Sequence, residues 1–138
     1  MTQFRKWVFL GSTLFFVIVA TTFASLGKIK GETLALIEVE KRFGSENFEE
    51  SAFRTGQIEK RASMAASLIK NKKKYIGLES WRIRDLLGTY SGHYFSEKYA
   101  TFFIYRGKNR SDDSWQLLFI IDKQSKVADI VVHKNCCY

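Results

Sequence analysis

The hydrophobic pattern of this chain changes its period after Gly88. Before Gly88, apolar residues of segment 57–71 recur every three to four positions, which is typical of an amphipathic helix. After Gly88, apolar residues recur at every second position, as they do in β-strands. Three such runs follow one another, at 99–107, 115–122 and 127–134. The pattern therefore predicts an α+β fold with helices first and strands second.

The stretch IGLESWRIRDLLG, residues 76–88, predicts a second short helix. Ile83, Leu86 and Leu87 would share one side of it, and Gly88 suits the backbone conformation that ends a helix. The three strands are joined by short polar turns, so we expect an antiparallel meander with two helices packed on one face, in the order ααβββ. In the last strand, strict alternation predicts two faces. One face would carry Ala128, Ile130 and Val132, and the other Val127, Asp129, Val131 and His133.

Residues 1–27 predict a membrane-targeting element. Arg5 and Lys6 precede an uncharged run, 7–27, whose 21 residues match the roughly 20 that a helix needs to cross a bilayer. We expect either a transmembrane anchor formed by residues 8–27 or a signal peptide cleaved near Ala24. A basic N-terminus normally stays in the cytoplasm, so both alternatives export the rest of the chain. The expected location is the inner membrane, single pass, with the C-terminal domain in the periplasm, or the periplasm itself after cleavage.

Residues 28–56 predict a helical or linker stalk. Segment 31–44 has Glu32 near its start, basic residues near its end and a closing glycine, all of which favour a helix. Segment 45–56 is polar, with isolated Phe48 and Phe53, and we expect a loop or frayed helix that holds the domain away from the membrane. The folded domain would then span residues 57–138.

The stretch 76–88 resembles a segment of the SmpA/OmlA family of small envelope lipoproteins, Gly-(Met/Leu)-x-x-x-x-Val-x-x-x-Leu-Gly. The matching positions are Gly77, Leu78, Ile83, Leu87 and Gly88. The later WQLLFIIDKQSKV is similar to that family's strand, turn and final strand, so the resemblance covers about residues 62–134. It implies a fold more than a set of binding residues.

The chain also departs from that family. Glu79 stands where a helix-capping Ser or Thr is usual, and Tyr90 stands where the family commonly has Pro. The lipid-bearing Cys is missing at the end of the apolar run. The same unit of two helices and a sheet is also similar to the repeat of β-lactamase inhibitor proteins.

The loop TYSGHYFSEKY, residues 89–99, is the predicted partner-binding site. It carries Tyr90, His93, Tyr94 and Phe95 in a connection that we expect at the surface, where aromatic side chains commonly anchor interfaces. The alternative is that Tyr94 and Phe95 fold back and cover the core.

Cys136 and Cys137 are adjacent at the end of the sequence. In an oxidising compartment we expect a disulfide, although a bond between neighbours is strained. A vicinal bridge, a disulfide-linked dimer and thiols packed against the sheet remain open. His133 lies nearby, but the spacing is not that of a zinc module. We therefore expect no metal and no other cofactor.

The net charge of +8 favours binding to anionic headgroups or to an acidic partner, or it simply keeps the surface soluble. Neither a nucleophile elbow nor a nucleotide-binding loop occurs, so we do not expect an enzyme. The sequence predicts a membrane-tethered module that binds another envelope protein. Two alternatives are a protein inhibitor of an enzyme and a basic nucleic-acid-binding domain; export argues against nucleic acid as a partner.

Overall fold

The computed structural model describes residues 31–107 and 114–135. The predicted leader, residues 1–27, and the cysteines at 136 and 137 lie outside these residues. Within the described ranges, no helix combines the length and the apolar character that crossing a bilayer requires.

The described residues form an α+β fold, as predicted, with four α-helices and a four-stranded antiparallel sheet. The helices are α1 (Leu36–Phe43), α2 (Glu50–Thr55), α3 (Ile58–Lys70) and α4 (Ser80–Leu87), and a 3₁₀ turn follows α3 at Lys72–Lys74. The strands are β1 (Thr33–Leu34), β2 (Thr101–Tyr105), β3 (Ser114–Ile121) and β4 (Val127–Asn135).

The sheet has one strand more than the predicted meander. Strands β2, β3 and β4 pair antiparallel as expected, but β1 pairs with the outer edge of β4, which makes the order β1-β4-β3-β2. The Lys134 N–H donates to the Glu32 carbonyl at 2.8 Å. The helix predicted from residue 31 therefore begins only at Leu36, because the residues before it hydrogen-bond to β4.

A β-bulge at Ala128 changes the predicted faces of β4. Ile120 pairs with Asp129, whereas Ile121 pairs with Val127, so Ala128 is an extra residue in the strand. Val127 therefore lies on the same face as Ile130, and each is only 1% exposed. Strict alternation placed Val127 on the opposite face, and that prediction is wrong.

A closed ring of aromatic side chains forms the centre of the core. Phe48 contacts Phe53 and Tyr75, Phe53 contacts Phe102, and Phe119 contacts both Phe102 and Tyr75, with centroid distances of 5.3 to 6.2 Å. Most of these contacts are edge-to-face, the geometry that aromatic quadrupoles favour. The ring joins the segments around α2 and α3 to strands β2 and β3.

The predicted stalk, 28–56, is not separate from the domain over its described part. Val39 and Phe53 are fully buried in the core, and the compact unit begins at Gly31. Burying a Phe or Val side chain is favourable by about 1.5–3 kcal/mol, so these residues pack in the core rather than stay in solvent. Two helices were expected in the domain; α1 and α2 are additional, and each contributes a buried side chain to its core.

We predict that Phe53→Ala lowers the free energy of unfolding by about 3–5 kcal/mol, because it leaves a cavity and removes two aromatic contacts. Urea unfolding of the full chain, followed by tryptophan fluorescence, measures the change. The control is Ile37→Ala, at a side chain that is 74% exposed, for which we expect a change within about 0.5 kcal/mol. Equal small effects of both substitutions would contradict the packing of α2 on the core.

Candidate functional site

Gly77 and Gly88 flank α4, and their φ angles are +84° and +94°. Glycine adopts such angles without the steric cost that other residues meet. The Gly77 N–H donates to the Val127 carbonyl and the Val127 N–H donates to the Leu78 carbonyl, both at 2.8 Å. The Gly88 N–H donates to the Arg84 carbonyl at 2.9 Å. Both glycines therefore serve the backbone geometry around α4, which was predicted for Gly88.

The apolar residues of the predicted motif are packing residues. Ile83 and Leu87 are fully buried, and Leu78 is partly buried against the same core. The motif thus places α4 on the fold, and the residues that follow α4 begin the predicted binding loop.

Residues 89–99, here called the aromatic loop, first follow the outer edge of β2. The N–H groups of Ser91 and Gly92 donate to the Thr101 carbonyl at 3.0 and 3.1 Å. The Phe103 N–H donates to the Ser91 hydroxyl at 2.9 Å. A Cβ on Gly92 would lie 2.5 Å from Gln116 Oε1, so only glycine allows this close approach. The start of the loop therefore hydrogen-bonds to the sheet much as an edge strand would.

Gln116 then holds the loop on the face of the sheet opposite the helices. Its side chain is fully buried; Nε2 donates to the His93 carbonyl at 3.0 Å, and Oε1 accepts from the His93 N–H at 3.3 Å. A buried amide with both ends bonded to one backbone residue fixes that residue in place. The hydrophobic alternation places Gln116 in a strand and indicates nothing more, because its bonding partner, His93, lies on a separate segment.

Arg61 is a second positioning residue that sequence analysis missed. Its Nε donates to the Phe53 carbonyl at 3.1 Å, and Nη1 lies 3.4 Å from the Ser91 hydroxyl. Its guanidinium carbon lies 5.7 Å from the centroids of both Phe53 and Phe102, and burial lowers the pKa of this group. The one available signal was its place beside the apolar stripe of α3, next to Ala62.

The four predicted binding residues divide into two pairs. Tyr90 packs on Phe102 at a centroid distance of 5.6 Å, and Tyr94 is only 9% exposed, with its ring 5.0 Å from that of His133. These two side chains cover the sheet, which was the alternative considered for Tyr94. His93 and Phe95 are exposed, and Phe95 retains 63% of its accessible surface.

Phe95 combines this exposure with an unfavourable backbone. Its φ angle is +52°, in the left-handed region, which costs a bulky residue roughly 1–3 kcal/mol. Its ring rests on Tyr94 at a centroid distance of 4.5 Å. The loop thus presents an aromatic side chain to solvent in a defined direction.

A cleft of about 230 Å³ lies between α4 and the aromatic loop. Its lining residues are Arg84, Thr89, Tyr90, Gly92, His93, Ser96, Glu97 and Tyr99. The volume is below the roughly 300 Å³ at which pockets for small organic ligands begin, so it suits a single side chain of a partner. The Arg84 guanidinium is stacked 4.7 Å from the Tyr90 ring. No carboxylate bonds it in the part of the chain that the structure describes.

A larger groove of about 530 Å³ lies beside β4, lined in part by Leu34, Leu36 and Ile69. Its two lysines are engaged in ion pairs within the fold, Lys70 with Glu40 and Lys72 with Asp129. The Ile130 N–H at this strand is bonded to the Asp129 carboxylate at 2.8 Å. Its polar groups are therefore satisfied internally, and the cleft at the aromatic loop is the better candidate.

The described residues offer no cluster of three or more His, Cys, Asp or Glu side chains that could hold a metal ion. The hydroxyl of Ser91, two residues before His93, accepts a hydrogen bond from the Phe103 N–H and so holds the loop on the sheet.

Comparisons with protein-family models, with curated proteins and with solved structures find no match to this chain. The resemblance to the SmpA/OmlA family remains a prediction from the matching residues.

We predict that Gln116→Leu destabilises the protein by about 2 kcal/mol, because the backbone groups of His93 lose both partners. Hydrogen exchange within the aromatic loop should become faster at the same time. The control is Gln124→Leu in the exposed β3–β4 turn, which should change neither quantity. Unchanged exchange in the loop of the Gln116 variant would show that other contacts hold it.

Proposed function

We propose that this protein is an exported module, tethered to the membrane by residues 8–27, that binds another envelope protein through the aromatic loop. We further propose that its domain is of the SmpA/OmlA-like kind suggested by residues 76–88. The observation that carries the binding proposal is Phe95, an exposed aromatic residue in a left-handed backbone on a fixed loop.

Stability alone does not favour Phe at this position. A left-handed backbone is adopted at lower cost by Gly or Asn, and an exposed aromatic ring gains little from folding. Aromatic side chains that become buried on binding, however, are among the residues that contribute most to the affinity of protein interfaces. Binding of a partner over Phe95 accounts for its retention in a costly conformation.

The neighbourhood of Phe95 has the composition of an interface rim. The adjacent cleft presents Arg84, His93 and Glu97, which can hydrogen-bond a partner around an apolar centre. The loop that carries His93 and Glu97 is already fixed by Gln116, so little conformational entropy is lost when a partner binds.

The same fixed loop supports a second candidate function, a protein inhibitor that inserts Phe95 into the cleft of an enzyme. Preorganised loops of this kind bind enzymes tightly because ordering has a low cost. An equimolar complex with a hydrolase that loses its activity on binding would favour the inhibitor over the assembly module.

The test is photocrosslinking in intact cells with a photoreactive phenylalanine analogue at Phe95. We expect one predominant envelope protein in the crosslinked product. The mass of this protein within that product shows whether its own leader is retained. The same analogue at Ile37, which is 74% exposed on α1, is the matched control and should not capture that protein. Equal capture from both positions would contradict the proposal.

Phe95→Asn separates binding from folding. Asn tolerates the left-handed backbone, so we expect stability to stay the same or rise by up to about 1 kcal/mol while partner capture is lost. Tyr94→Ala should instead lower stability, because the Tyr94 side chain is buried against His133 of the sheet. If Phe95→Asn still copurifies with the partner at the wild-type level, Phe95 is not the binding centre.

A further inference from the structure

The strand ends nearest Gly31 meet at one end of the sheet. Tyr105 pairs with Trp115, and Trp115 pairs with Lys134, so β2 ends, β3 begins and β4 ends at the same level. The Lys134 N–H bonds to the Glu32 carbonyl, which places the start of the described chain at this level too. We call Arg42, Tyr105, Arg106 and Lys134 the sheet-end cluster.

The cations of the sheet-end cluster are stacked on aromatic rings. The guanidinium carbon of Arg42 lies 4.9 Å from the Trp115 ring centroid, and Lys134 Nζ lies 5.8 Å from it. The guanidinium carbon of Arg106 lies 4.8 Å from the Phe103 centroid. Stacking fixes the plane of an arginine while its N–H donors remain available to a ligand.

The two arginines have no ion-pair partner among the described residues. They line one cleft of about 330 Å³ together with Tyr105, whose side chain is 47% exposed. Glu59 also lines that cleft, and Lys134 lies 3.8 Å from Glu32. Counted over the residues that the structure describes, the sheet-end cluster therefore keeps an excess of positive charge beside an exposed amphipathic ring.

The predicted membrane segment is close to this surface along the chain. The uncharged run ends at Gly27, and the four residues to Gly31 span at most about 14 Å when fully extended. If residues 8–27 cross a bilayer, Gly31 is therefore held near the headgroups. Lys28 and Lys30 add positive charge within this short link.

We propose that the sheet-end cluster docks on an anionic lipid surface, with Arg42 and Arg106 binding headgroup phosphates and Tyr105 entering the interfacial layer. This inference rests on the proposed membrane tether. Guanidinium groups match phosphate oxygens in a bidentate geometry, and tyrosine favours the headgroup region of bilayers. Basic residues near an anionic leaflet are attracted to it within about a Debye length, roughly 8–10 Å. A link that reaches at most about 14 Å allows the cluster to come within that range.

The test reconstitutes the full chain in vesicles of phosphatidylcholine alone or of an equal mixture with phosphatidylglycerol. A photoreactive phenylalanine analogue replaces Tyr105, and lipid adducts are counted by mass spectrometry. The matched position is Gln124, in the turn at the opposite end of β3, about 25 Å away along the strand. We expect adducts from position 105 in the mixed vesicles, fewer in neutral vesicles and in high salt, and background from position 124.

The double variant Arg42→Gln with Arg106→Gln should lower the adduct yield from position 105 by about tenfold, since each basic residue contributes to attachment. Lys123→Gln with Lys126→Gln removes the same charge from the exposed far turn and should leave the yield unchanged. Near-ultraviolet circular dichroism confirms that each variant is folded.

Each failure has a separate signature. Protein that does not float with the vesicles overturns the tether and, with it, this inference. Protein that floats but gives equal yields from positions 105 and 124, or equal yields in both kinds of vesicle, overturns the docking surface alone. Adducts with a second copy of the chain in place of lipid would assign the cluster to self-association and also overturn it.

Discussion

The closed aromatic ring is the interaction on which the rest of this fold depends. Its five members come from separate parts of the chain, from the segment before α2 to strand β3, and each contacts two others. Edge-to-face pairs contribute about 0.5–1.5 kcal/mol each beyond the area they bury. Since each member closes two contacts, the ring links the segments around α2 and α3 to strands β2 and β3 and makes the α-helical layer and the sheet one unit.

The ring also determines how the aromatic loop is held. Tyr90 packs on Phe102, and Arg61 lies over Phe53 and Phe102 while reaching Ser91. The loop therefore starts against the aromatic ring, before Gln116 fixes its next residues. A loop attached at both points can keep an unfavourable backbone angle, because relaxation would disturb several buried groups at once. The exposed position of the Phe95 side chain is thus a consequence of core packing.

Local patterns predicted the elements of this fold but not its long-range contacts. The period of the hydrophobic pattern identified α3, α4 and three strands, because each of these signals lies within about a dozen neighbouring residues. Strand β1 escaped prediction, since its two residues become a strand only by pairing with residues a hundred positions later. Phe48 and Phe53 looked isolated because their neighbours in the core belong to other segments. The aromatic character of the loop was evident, but the backbone angle that separates Tyr94 from Phe95 follows from tertiary contacts.

The edges of the sheet restrict how this domain can bind a partner. On β4, one end is paired with β1, the other with residues 77–79, and the Ile130 N–H between them is bonded to a side chain. On β2, the aromatic loop hydrogen-bonds to the Thr101 carbonyl and the Phe103 N–H. A partner strand would have to displace these bonds before adding to the sheet, and displacing them offsets most of the gain from new ones. Recognition through projecting side chains has no such cost, which favours the aromatic loop and the sheet-end cluster over the strand edges as binding surfaces.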